Sequence, residues 1–176
     1  AENPNNLAAA VEHYAAIGSA SDLPFYVYWL ASDVDRSVSA GRFLEAMRDV
    51  PNFSGIKFTD TNFYLFQRLV ALAGDRLNLI SGPDEMCLSG MVSGADAAIG
   101  STYNVMPKLF IKMRLAFEGG DIRSAMEYQS QANRVISVFM RLGVMGSIKA
   151  LLTERGLPVG PPRPPHHKLD ETTVGE

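Results

Sequence analysis

Cysteine is almost absent from this chain. Cys87 stands alone, which excludes an internal disulfide and fits a reducing compartment. On a helix it is expected to pack as a small buried hydrophobe. A basic excess is also missing: 16 lysines and arginines face 19 acidic residues, the pI is about 5.6, and no basic run occurs. A nucleic-acid partner is therefore excluded. Only three histidines occur, and the adjacent pair His166-His167 lacks metal-ligand spacing, so both belong to a solvated tail and no metal is expected. There is no secretory signal and no apolar run long enough to cross a bilayer, so the chain reads as soluble, cytoplasmic and without a membrane partner. No P-loop, dinucleotide fingerprint or nucleophile elbow occurs, and nothing here requires a cofactor.

What is present is ample material for a core, with 47% apolar residues in a chain of 176. Ala1 is not preceded by methionine, and a helical pattern begins almost at once after Asn3-Pro4-Asn5-Asn6, an abrupt start that suggests a missing upstream segment. Leu7, Val11, Tyr14 and Ala15 share one helical face that Gly18 ends. Residues 23–30, short and aromatic, read as a buried strand. Ser39 caps a helix to about Val50 with Phe43, Leu44 and Met47 turned inward, and residues 53–59 form the next strand. Asp60 or Thr61 is expected to cap a helix carrying Phe63, Phe66, Leu69, Val70 and Ala73 inside, ended by Gly74. Strands at 76–81 and 95–100 alternate with helices at about 84–93 and 104–118, the last with Pro107 in its first turn.

Such alternation predicts parallel βαβ units with outer helices, as a barrel or as an open doubly wound sheet. In either case ligands gather at the carboxyl ends of the strands. After Gly119-Gly120 the pattern changes. Ile122, Ala125, Met126, Ala132, Ile136, Phe139 and Met140 mark one long amphipathic helix, and a second spans about 144–154. The expected organisation is thus a β/α portion over 1–118, a helical extension over 119–156 and a proline-rich extended tail over 157–176.

The chemistry centres on Lys57, a lone lysine near the end of the apolar strand Phe53-Ser54-Gly55-Ile56-Lys57-Phe58-Thr59. An ammonium without a partner is costly to bury, so an amine in that setting is expected to have a use. A desolvated lysine amine attacks ketones, and the resulting imine is an electron sink that lets an adjacent carbon-carbon bond break. Thr59 lies two residues on, hence on the same strand face. Tyr28 closes the preceding strand and can pass a proton to or from a hydroxyl. Gly82-Pro83-Asp84-Glu85 and Gly100-Ser101-Thr102-Tyr103-Asn104 follow the next two strands; Ser101 and Thr102 are also candidate helix caps.

The stretch Gly55-Ile56-Lys57-Phe58-Thr59-Asp60-Thr61, with Gly82-Pro83-Asp84-Glu85 and Gly100-Ser101-Thr102-Tyr103-Asn104, resembles the N-acetylneuraminate lyase and dihydrodipicolinate synthase family of class I aldolases. The resemblance runs from the first helix to Gly160-Pro161-Pro162-Arg163 and implies an α/β fold, the second half of a (β/α)8 TIM barrel plus a C-terminal helical extension. It implies that Lys57 forms a Schiff base with the C2 ketone of sialic acid, or with pyruvate in reverse, and needs no cofactor. Tyr28 would transfer the proton at the C4 hydroxyl during C3–C4 cleavage, and Thr59, Gly82, Asp84, Glu85 and Ser101 would contact the sugar. The products would be N-acetylmannosamine and pyruvate, and the assembly a homo-oligomer, typically a tetramer. The Asp-Glu pair and the Gly-Ser-Thr-Tyr-Asn run favour the sialic acid enzyme over dihydrodipicolinate synthase. A pyruvate-dependent aldolase with another acceptor, and a non-catalytic half-barrel that self-associates, are the alternatives. The family's Gly-Ser/Thr-Thr carboxylate loop falls outside this chain, so the 176 residues alone are expected to show little or no lyase activity.

Overall fold

The computed structural model describes residues 4–31 and 38–169. It divides into two compact units, Ala1–Ile99 and Gly100–Glu176. The first holds helix α1 (Pro4–Gly18), strand β1 (Phe25–Leu30), α2 (Ala40–Ala46), β2 (Phe53–Thr59), α3 (Phe63–Ala73), β3 (Asn78–Ser81), α4 (Cys87–Val92) and β4 (Ala97–Ala98). The second holds α5 (Pro107–Glu118), α6 (Ile122–Leu142) and α7 (Val144–Glu154). The helix expected to close the β/α portion, α5, therefore lies in the second unit.

All three strand pairings are parallel, and the strand order is the chain order, β1-β2-β3-β4. This is the arrangement in which each crossover helix returns the chain to the adjacent position on the sheet. One face of the sheet is buried under helices. Val27 and Trp29 of β1, Ile56 and Phe58 of β2 and Leu79 of β3 join Phe43, Met47, Phe66 and Leu69 in one core. Aromatic contacts bind it. The Trp29 ring meets Phe43 edge-on at 5.1 Å and lies against Phe58 at 5.9 Å, and Phe58 meets Phe66 at 5.1 Å. Leu7, Val11, Tyr14 and Ala15 of α1 pack against this cluster. Cys87 is buried as expected.

Local chemistry shifts several expected boundaries. β1 opens at Phe25 rather than Leu23, because Pro24 has no N–H to give the ladder, and Leu23 is 71% exposed. The cap of α3 is Asn62, whose side chain accepts from the Leu65 amide; Asp60 instead accepts from the Asn62 amide, in a turn one step earlier. Residues 84–86 form a 3-10 turn before α4 instead of its first turn. Residues 101–104 form another; its cap position is Gly100 and that of α5 is Met106, so neither Ser101 nor Thr102 stands at a cap position. Consequently α5 begins at Pro107, where a missing N–H costs nothing. β4 is confined to Ala97–Ala98.

In the second unit, Val105, Phe139 and Ile148 form a smaller core with Met106, Val144, Leu151 and Leu152 against it. Asp121 caps α6 by accepting from the Ser124 amide, which together with the Ser124 side chain holds its carboxyl below the ordinary value. Along α6, Ala125, Ala132, Ile136 and Phe139 are buried, whereas Ile122, Met126 and Met140 of the predicted apolar set are exposed. Met126 and Met140, each one residue past Ala125 and Phe139, lie about 100° further round the helix, and Ile122 stands at its first residue. After α7 the proline-rich stretch turns at residues 164–166, and Pro162 is buried; His166 and His167 are exposed. Among the described residues no single helix is long and apolar enough to span a membrane.

Candidate active site

The functional face of the first unit follows from period-two alternation. Since Val27, Trp29, Ile56, Phe58, Leu79 and Ser81 point into the helix-covered core, the residues between them point the other way. Tyr26 and Tyr28 of β1, Gly55, Lys57 and Thr59 of β2, and Asn78 and Ile80 of β3 thus share the opposite face. Register makes rows of them: Tyr28 is level with Lys57, and Lys57 with Ile80. In the row below, Gly55 has no side chain and Tyr26 uses the space; a Cβ on Gly55 would stand 2.3 Å from the Asn78 carbonyl oxygen and 2.5 Å from the Tyr26 ring.

Lys57 is half-buried, and its Nζ lies 3.9 Å from the centroid of the Tyr28 ring, inside cation–π distance. Tyr28 itself is 53% exposed, so the pair meets solvent at one side. Thr59 shares their face, but its Oγ1 is buried and without a hydrogen-bond partner among the described residues. The next strand explains this. Gly82 continues β3 by donating its N–H to the Phe58 carbonyl at 2.8 Å, and a Cβ on Gly82 would fall 2.0 Å from Thr59 Oγ1. Thr59 therefore sits against the bare backbone of Gly82. Asp84 is 6% exposed and Glu85 half-buried, both in the 3-10 turn that follows Gly82-Pro83.

The fold thus brings Tyr28, Lys57, Thr59, Gly82, Asp84 and Glu85 onto one unit, at and just beyond the carboxyl ends of β1, β2 and β3. Ser101 is exposed and belongs to the other unit. Among the described residues no group of three or more His, Cys, Asp or Glu gathers as metal ligands.

Three residues outside the predicted set matter to the sheet that carries this face. Ile80 walls Lys57 on the side away from Tyr28, and counting alternation along β3 identifies it. Asp96 accepts from the Leu79 amide at 2.7 Å and so ties the entry of β4 to β3. Asn52, in a left-handed conformation, donates to the carbonyls of Gly18 and Ser21 and anchors the turn into β2. Neither of these last two is visible from spacing, because their partners lie far away in sequence.

Sequential parallel strands, outer helices and a lysine–tyrosine pair at the strand ends define a parallel β/α protein of barrel type with an amine on its open face. Residues 3–175 match the dihydrodipicolinate synthetase family, and the chain belongs to it. It is 38% identical to N-acetylneuraminate lyase of Rhizobium meliloti (strain 1021) over 162 residues, which are 92% of this chain and 53% of that protein. Against N-acetylneuraminate lyase of Mus musculus it is 38% identical over 174 residues, 97% of this chain and 54% of the relative. Proteus mirabilis N-acetylneuraminate lyase superposes with a TM-score of 0.86 at 28% identity, over 96% of this chain and 58% of that structure. The chain spans about half the length of the curated relatives it matches.

Proposed function

We propose that this chain carries the imine-forming part of an aldolase that cleaves N-acetylneuraminate reversibly to N-acetylmannosamine and pyruvate. The observation that carries the reading is the Lys57 amine against the Tyr28 ring on paired strands, in a chain similar to N-acetylneuraminate lyases along most of its length. In this reading the neutral Lys57 amine adds to the C2 carbonyl of the open-chain sugar, and loss of water leaves an imine that takes up a proton. Tyr28 mediates the loss of the C4 hydroxyl proton as the C3–C4 bond breaks, passing its own phenolic proton on toward C3 as it takes the new one, and that bond's electron pair flows into the iminium to give an enamine. Proton return to C3 and hydrolysis then free pyruvate and the amine. Thr59, Gly82, Asp84, Glu85 and Ser101 are taken as sugar contacts, since carboxylates and hydroxyls accept or share sugar hydroxyl protons. For Thr59 this requires its buried Oγ1 to be uncovered when substrate arrives.

The same reading makes the protein cytoplasmic and homo-oligomeric, with the covalent imine in place of a cofactor. The single cysteine, Cys87, and the exposed apolar residues Ile111, Leu115 and Met126 support the first two points.

The test is borohydride reduction of the purified chain with excess pyruvate, followed by peptide mapping. A reduced pyruvyl group on the peptide that contains Lys57 is expected. Absence of that adduct, even when a protein part completing the relatives' length is supplied, counts against the imine and for a non-catalytic half-barrel. Product analysis with N-acetylmannosamine against aspartate semialdehyde then separates sialic acid synthesis from dihydrodipicolinate synthesis.

A further inference from the structure

The Lys57–Tyr28 contact has a feature that proton transfer does not account for. The amine rests over the face of the ring, 3.9 Å from its centroid, rather than against a hydroxyl or a carboxylate of the described residues. Register explains why it leans that way. Lys57 is flanked by Tyr28 on β1 and Ile80 on β3, and only the aromatic face attracts a cation. Of the titratable groups on the elements packed against β2, Tyr26 shares the face one row below; Asp84 and Glu85 follow β3, and Asp60 follows β2.

We propose that the Tyr28 ring is the resting seat of the Lys57 ammonium, so that Tyr28 has two separable parts: a ring that holds the amine and a hydroxyl that moves the substrate proton. The inference rests on the aldolase reading only for the second part. An ammonium on the ring face has no lone pair to offer, so before attack it must shed a proton to solvent, which the half-exposed pair meets directly. It must also come off the ring. Arrival of the substrate's carbonyl end, displacing the amine from Tyr28, would release the nucleophile where it is used, and the ring acts as a positioning element upstream of chemistry.

Two variants separate the parts: Tyr28→Phe keeps the ring and removes the hydroxyl, and Tyr28→Leu removes both. In the 176-residue chain with labelled lysine, the Lys57 Hε resonances are expected upfield of those of exposed Lys112, from the ring current, in wild type and in Tyr28→Phe but not in Tyr28→Leu. Acylation of Lys57 by N-acetoxysuccinimide, normalised to Lys112, should rise about two- to fivefold in Tyr28→Leu and stay unchanged in Tyr28→Phe, the factor a half-exposed cation–π contact supplies. Unshifted Hε resonances in wild type, or an unchanged acylation rate in Tyr28→Leu, overturn the proposal. Pyruvate–borohydride trapping on the same variants tells the two readings apart. A normal ring-current pattern with no adduct on any of them, even when a protein part completing the relatives' length is supplied, overturns the aldolase and leaves the seat standing. An adduct without the ring-current pattern does the reverse.

Discussion

The two compact units of this chain, residues 1–99 and 100–176, use their sequence to opposite ends. In Ala1–Ile99 the strands send alternate residues into an interlocked aromatic core, Trp29, Phe43, Phe58 and Phe66, and present the others on a single face. In Gly100–Glu176 helices α6 and α7, with Val105 and Met106 just before α5, form a core of Val105, Phe139 and Ile148, and Ile111, Leu115, Met126 and Met140 are left exposed. The first unit holds every predicted site residue except Ser101. A parallel sheet puts neighbouring strand ends at the same level, so polar side chains distant in sequence become neighbours; a helical layer has no comparable edge. The sheet's rigidity then holds them in place.

The largest expected effect tests where the chemistry lies. Lys57→Ala should abolish the pyruvate–borohydride adduct, whereas Ser101→Ala in the second unit should leave it at the wild-type level. Loss of the adduct in both would erase the distinction between the units. Next come the cores. Phe58→Ala, at 0% exposure and in contact with the Trp29 and Phe66 rings, should cost about 3–5 kcal/mol. Phe139→Ala should fall near the lower end of that range, about 3 kcal/mol, because a smaller cluster around it has less to lose. Urea unfolding checks both, followed by fluorescence of Trp29, the single tryptophan, for the first unit and by far-ultraviolet circular dichroism for the helices.

A third contrast lies within the first unit. Gly55→Ala would place a methyl 2.3 Å from the Asn78 carbonyl oxygen and should cost about 1–3 kcal/mol while displacing Tyr26. Gly41→Ala in α2 meets nothing nearer than the Leu72 Cδ1 atom at 3.8 Å and should stabilise by about 0.5 kcal/mol. Equal melting temperatures for the two variants would contradict the close packing under Tyr26. The smallest effect belongs to the second unit and depends on pH. The Ser124 side chain and amide hold the Asp121 carboxyl below its ordinary value of 3.8, so its contribution to α6 is present above that value and is lost as acid is added through the lower folded value. Asp121→Asn keeps the acceptor but cannot ionise. The melting-temperature difference between wild type and this variant should therefore shrink as the pH falls below 3.8, and a difference that is constant with pH would remove the carboxylate's role.

Legibility followed sequence distance. The strand 53–59, the Ser39 cap, the Gly74 stop and the long helix after Gly119-Gly120 were readable because each depends on residues a few positions apart. Thr59 beside Lys57 was readable from alternation alone. The choice of Asn62 over Asp60 as a cap was not, because both side chains accept a backbone amide and only the point at which the chain turns helical decides which of the two is the cap. Nor was the burial of Thr59 Oγ1 against Gly82, which depends on where β3 lies.

By itself the sequence determined the alternation of elements, the apolar face of each and the presence of one lysine on an apolar strand, since these depend on backbone propensity and periodicity within single segments. Only the tertiary structure decided that Lys57 stands level with Tyr28 and Ile80 and leans on the aromatic side. That choice is a matter of strand register, and register is set by hydrogen bonds between segments far apart in sequence, Tyr28 with Lys57 and Lys57 with Ile80, which no local pattern encodes.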